Sequence, residues 1–355
     1  MPLITCLSNS SGYLSVPSTC TFYLGGVHPN CYNTATVPVC AAPTPAPTPT
    51  PDTTACAVPA SDYIDGPWPM FQATAARVGQ IGLVGAQTCN VAWKVFVGDS
   101  VTGSPIIGPG GHIYVGTLSH NLFRIDAATG TVAWRKSFEG MVNTITIAKA
   151  TPFGDGNRTL YVPTLNFLIA VDASTQAEVW RFVHPHTSDR CLPAVFSDFF
   201  YNFTGLYFTC GSSLYFANAK EGLIEWSYTV PASEGSLSGL AVGSDGLIYI
   251  GSQLNLYVVN GSDGVPHTTV LYKMGVVGIP TISNHGRNVY FQGTDNYTYS
   301  VDATLGALEW KTYYGGGISS SAISPDCHIV LGDNSSLYSF FLFFEHFVKS
   351  FSLSS

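Results

Sequence analysis

The sequence predicts an all-β protein: a β-propeller of four-stranded antiparallel blades behind a Cys-rich N-terminal head. Three observations carry the prediction. A motif of four short strands returns about every 40 residues, which marks a repeat fold. An aromatic residue, usually Trp, recurs at nearly fixed spacing. The composition (21 Phe, 19 Tyr, 36 Gly and 22 Pro in 355 residues, with 10% charged) supplies strand formers and turn formers together.

Residues 104–134, SPIIGPGGHIYVGTLSHNLFRIDAATGTVAW, show the unit. An apolar strand, a Gly-rich turn, IYVGT, a polar turn, LFRID, the turn AATG and a strand bearing Trp134 make one blade. The pattern returns to end at Trp180, Trp226 and Trp310, with Tyr272 in the Trp place between the last two. From Trp134 to Tyr272 each step is 46 residues, the next is 38, and Trp93 lies 41 before Trp134. Five repeats are complete, at about 101–138, 141–185, 190–230, 236–275 and 276–314.

Each recurring position has a physical cause. Asp126, Asp172, Asn218, Asn260 and Asp302 fall after the third strand, where Asx side chains bond backbone amides. Gly130, Gly222, Gly264 and Gly306 suit positive φ in the same turn. The aromatics are expected between neighbouring blades, where a large flat ring buries much area.

A sixth repeat starts with ISSSAISPDCHIVLGDNSSLYSFF and lacks its Trp strand, whereas NVAWKVFV holds Trp93 on a strand without a blade. Joining the two closes a ring of about six blades, which removes exposed strand edges. A truncated eight-bladed ring is the rival. The chain divides into a Cys-rich segment (1–40), a Thr/Pro-rich linker (41–60), the propeller (67–341) and an irregular tail (342–355). Alternating Thr and Pro favours extended polyproline structure, hence a spacer.

These residues resemble the pyrroloquinoline-quinone (PQQ) type of propeller repeat: apolar-Tyr-apolar-Gly-Ser/Thr, then Asp-x-x-Thr-Gly and Trp. The stretch PWPMFQATAARVGQIG at 67–82 is similar to the lead-in of that superfamily. Its members include quinoprotein alcohol dehydrogenases and the assembly lipoprotein BamB, and the present chain looks closer to the non-catalytic, BamB-like members. The resemblance to the dehydrogenases implies PQQ and Ca²⁺. However, there is no adjacent Cys pair, no family metal ligand maps onto this chain, and Lys and Arg together number 14. No cofactor is therefore expected, and no catalytic residue can be singled out.

Candidate sites are few. His184, His186 and Asp189 resemble a metal cluster, because His-x-His on a strand shares one face; an ordinary polar loop is the competing reading. Cys191 and Cys210 fall on adjacent strands of one blade and are expected to be joined or to stay buried thiols. Cys89 and Cys327 would approach one another on closure of the ring. Five of the nine Cys crowd into the first 56 residues, which reads as disulfide stapling in an oxidising compartment. Six N-x-[ST] sequons agree with an extracellular or secretory-pathway glycoprotein, although MPLITCLSNSSGYLS has no signal-peptide pattern.

A formal net charge of −8 argues against nucleic acid, and FFLFFEHFV at 340–348 is far short of the ~20 apolar residues of a membrane span. The sequence thus points to a binding or scaffolding propeller, a monomer or a part of a larger modular protein, that meets a protein or glycan through its loops. A PQQ/Ca²⁺-dependent oxidoreductase is the alternative.

Overall fold

The computed structural model describes residues 13–17, 31–32, 39–40, 70–79, 91–341 and 350–352. Within the long stretch, 102, 150–157, 166, 184–190, 199–202, 284–285, 318–319, 325–327 and 333–335 are not described. The described residues form six four-stranded antiparallel sheets, each from strands consecutive in the chain. Blade 1 runs through Ile106–Ile107, His112–Gly116, Asn121–Asp126 and Val132–Ser137. Blades 2 to 6 then span Thr146–Val183, Cys191–Thr229, Leu240–Tyr272, Val276–Tyr313 and Ala322–Ser352. No described helix is long and apolar enough to cross a membrane.

The core is a series of seams between blades. Ile106, Tyr114 and Leu122 of blade 1 pack on Leu160, Ile169 and Val171 of blade 2, and similar clusters join each later pair. The second and third strands are buried on both faces, whereas the fourth alternates exposed and half-buried residues because it forms the rim.

The Trp residues dock across these seams. Trp93 donates its indole N–H to Ala127 O (2.8 Å), and Trp180 donates to Ala219 O in blade 3 (3.0 Å). Gly130, Gly222 and Gly264 have φ of 71–72° and lie beneath Trp93, Trp180 and Trp226. A Cβ there would come within 2.6 Å of the indole, so the turn needs glycine for space as well as for φ. Blade 2 has Gln176 (φ 63°) in the corresponding turn. Asp126 Oδ1 accepts the N–H groups of Ala128 and Thr129, and Asp172, Asn218, Asn260 and Asp302 repeat this turn.

One expectation is overturned. The Trp93 strand, Val91–Phe96, does not complete the last blade; it pairs with Tyr13–Pro17 from the head, and Ser350–Ser352 supplies the fourth strand of blade 6. The register explains the assignment. In blades 1, 2, 3 and 5 the third strand pairs with the Trp and then skips to the residue two before it, as in Arg124↔Trp134 and Ile125↔Val132. The head strand makes the same bulge, Val16↔Trp93 then Pro17↔Val91, so it takes the place of a third strand. Trp93 then docks on blade 1 as an outer strand of a preceding blade position. The head accordingly contributes to the propeller, and the stretch expected to be an irregular tail contains a strand.

Candidate functional site at the loop face

Residues 70–79 form a thread at one end of the propeller, bonded to the inner strands of blades 4 to 6. Ala75 O, Ala76 O and Val78 O accept the N–H groups of Val242, Ile282 and Ile323, the last residues of the inner strands of blades 4, 5 and 6. The Arg77 side chain is 1% exposed and donates from Nε to Leu240 O (3.0 Å) and from Nη1 to Phe71 O (2.8 Å). Burial lowers its pKa to about 10. Gln72 Nε2 donates to Ser321 O (2.5 Å). Gln72, Ala73 and Arg77 all have positive φ, a strained backbone that these bonds hold in place.

Chain direction makes the two ends of the propeller different. The thread and the Asx turns share one end, since inner strands finish where third-to-fourth turns lie. The opposite end carries the second-to-third hairpins and the connections between blades. There the repeats diverge, which is where a scaffold displays function.

In blade 1, Asn121 Oδ1 accepts from Arg135 Nε (2.9 Å) and Ser137 Oγ (2.8 Å), and its Nδ2 donates to Ser119 O (2.8 Å). Between blades 3 and 4, Glu234 is 7% exposed and accepts from Ser252 Oγ (2.5 Å) and Asn255 Nδ2 (2.7 Å). Burial, with help from Glu234, pushes the Tyr257 hydroxyl up to about 12. In blade 5, Tyr299 Oη donates to Asp295 Oδ2 (2.5 Å), and Lys311 Nζ stands 4.8 Å from the Tyr297 ring centroid. The apolar tips Leu118 and Leu254 are 39% and 53% exposed.

The seam between blades 5 and 6 is unusual. Gln292 and Thr298 face each other across two strands, both fully buried, and Gln292 Nε2, Gln292 Oε1 and Thr298 Oγ1 have no hydrogen-bond partner. Gln292 occupies the position held by Gly116, Pro163, Thr209 and Gly251 in earlier repeats. At Gly116 and Gly251 the next blade comes too close for a Cβ, whereas after blade 5 the connection begins with Gly315, Gly316 and Gly317, all at positive φ.

The structure joins Cys191 to Cys210, opposed in register on the first two strands of blade 3. His184, His186, Asp189, Cys89 and Cys327 lie outside the described residues. Trp134, Trp310, Asp302 and Gly306 take their repeat positions. Sequence reasoning missed the role of 70–79, the Glu234 network and the Gln292 pair. Gln292 left a signal as a break in the repeat, and 70–79 stood out as part of the lead-in motif without its role being readable. Among the described residues no three His, Cys, Asp or Glu side chains converge. Arg77 is committed to carbonyls, Arg135 to Asn121, and Arg181 to Glu178 and Glu139.

No curated protein matches the chain. A family model described as outer membrane protein assembly factor BamB matches residues 77–237. The crystal structure of BamB from Moraxella catarrhalis is similar in fold, with a TM-score of 0.53 and 15% identity over 74% of this chain and 78% of that one. With the repeat motif and its blades, the structural match shows a β-propeller fold, and residues 77–237 are similar to the BamB family model.

Proposed function

We propose that the protein is a non-enzymatic scaffold that holds a protein partner on its loop face, in an extracellular or other oxidising compartment. The observation that carries the reading is the asymmetry of the two ends. One carries the thread and the repeated turns; the other differs from blade to blade and exposes Leu118 and Leu254 among polar networks. The family named after an outer membrane protein assembly factor supports a protein partner over a glycan. The Cys191–Cys210 bond supports the compartment.

Photo-crosslinking tests the reading. A crosslinker is placed at Leu118, Leu254 or, as a control on the turn end, Leu305, which is 80% exposed. Protein adducts in the native host are expected from the first two positions and not from Leu305. Adducts from Leu305 alone would overturn it. So would saturable PQQ absorbance with Ca²⁺ and alcohol-dependent dye reduction, which belong to the oxidoreductase reading.

A further inference from the structure

The propeller shows how two of its cysteines find each other. Cys191 and Cys210 stand directly opposite on neighbouring antiparallel strands, with Cα atoms 4.3 Å apart, and they are bonded. The head repeats the relation. Cys31–Tyr32 pairs antiparallel with Val39–Cys40, and the register sets Cys31 opposite Cys40. Directly opposed residues of such a ladder have Cα atoms about 4.5 or 5.5 Å apart, and disulfides span roughly 4.4–6.8 Å. Of the five head cysteines, only these two lie in described strands.

We propose that Cys31 and Cys40 form a cross-strand disulfide ahead of the Thr/Pro-rich segment. The bond forms by thiol–disulfide exchange. Two thiols give up two protons and two electrons to an oxidised dithiol carrier, whose own disulfide is reduced. The proposal rests on the oxidising compartment proposed above.

Peptide mapping of the full chain from a secretory host, alkylated before any reduction, tests it. Trypsin is unsuitable, since the first Lys or Arg is Arg77. Chymotrypsin cuts after Tyr32 and Asp-N cuts before Asp52, which separates Cys31, Cys40 and Cys56. The expected product is a peptide ending at Tyr32 linked to the peptide 33–51, two hydrogens lighter than their sum. In Cys31→Ser, Cys40 is expected to become a newly alkylated thiol. Cys31 bonded to Cys6, Cys20 or Cys56, or free while Cys191–Cys210 stays linked, overturns the pairing alone. Full alkylation of all four cysteines overturns the pairing and the compartment together.

Discussion

Trp180 donates its indole N–H to the carbonyl of Ala219 across the seam between blades 2 and 3, whereas the same atom of Trp226 is buried without an acceptor. The two rings occupy equivalent positions, each over a glycine of the next blade. Replacing either by Phe loses similar apolar area. Trp180→Phe also loses the bond to Ala219 O, which keeps the Tyr161 hydroxyl as a second donor (3.1 Å), so it is expected to cost about 1 kcal/mol more than Trp226→Phe in urea unfolding. Equal costs would show that the bond contributes nothing.

Arg77 links the thread to blade 4. In Arg77→Met the carbonyls of Leu240 and Phe71 lose a charged donor at a fully buried point. The expected loss is about 3 kcal/mol, read as a lower melting temperature. Hydrogen exchange is expected to rise first at Val242, Ile282 and Ile323, whose N–H groups bond the thread.

Gln292 tests the opposite sign. Its amide has no partner on either atom, so Gln292→Met, close in volume, removes two buried polar atoms without breaking a bond. A gain of about 1 kcal/mol by calorimetry is expected. A loss would mean that the amide is satisfied in solution.

Stability is expected to fall at both pH extremes. Burial raises the hydroxyls of Tyr249, Tyr257, Tyr290 and Tyr299, Tyr257 to about 12. The fold favours their neutral forms, so this contribution is full below the ordinary value of 10.0 and is lost as pH climbs through the raised values. In acid, hydrogen bonds from Thr129 hold Asp126 below 3.8. At Asp172, burial acts upward but bonds from Ser174 and Thr175 win, and it too is lowered. Those contributions are present above 3.8 and fade as pH falls through the depressed values. Urea midpoints at pH 3, 7 and 11 check both arms.

What repeats was legible in the sequence, and what occurs once was not. Asp126, Gly130 and Trp134 serve one local turn and one seam, so their types and spacing recur and could be read directly. The partner of the Trp93 strand was hidden, because an edge accepts any strand of suitable register and the competing partners lie far apart in sequence. The thread was hidden for a related reason. It grips blades 4 to 6 mainly through its own carbonyls, which every residue possesses.

That thread also sets an order of assembly. It leaves the ribosome before every blade it fastens, and its contacts reach forward by 163 residues at Leu240 and 249 at Ser321. The early blades can form from neighbouring hairpins as they emerge. The thread stays unmatched until the last inner strand is made, so contacts of such long range arrive late and slowly. A chain stalled before Ser321 would hold its early blades and an unfastened thread.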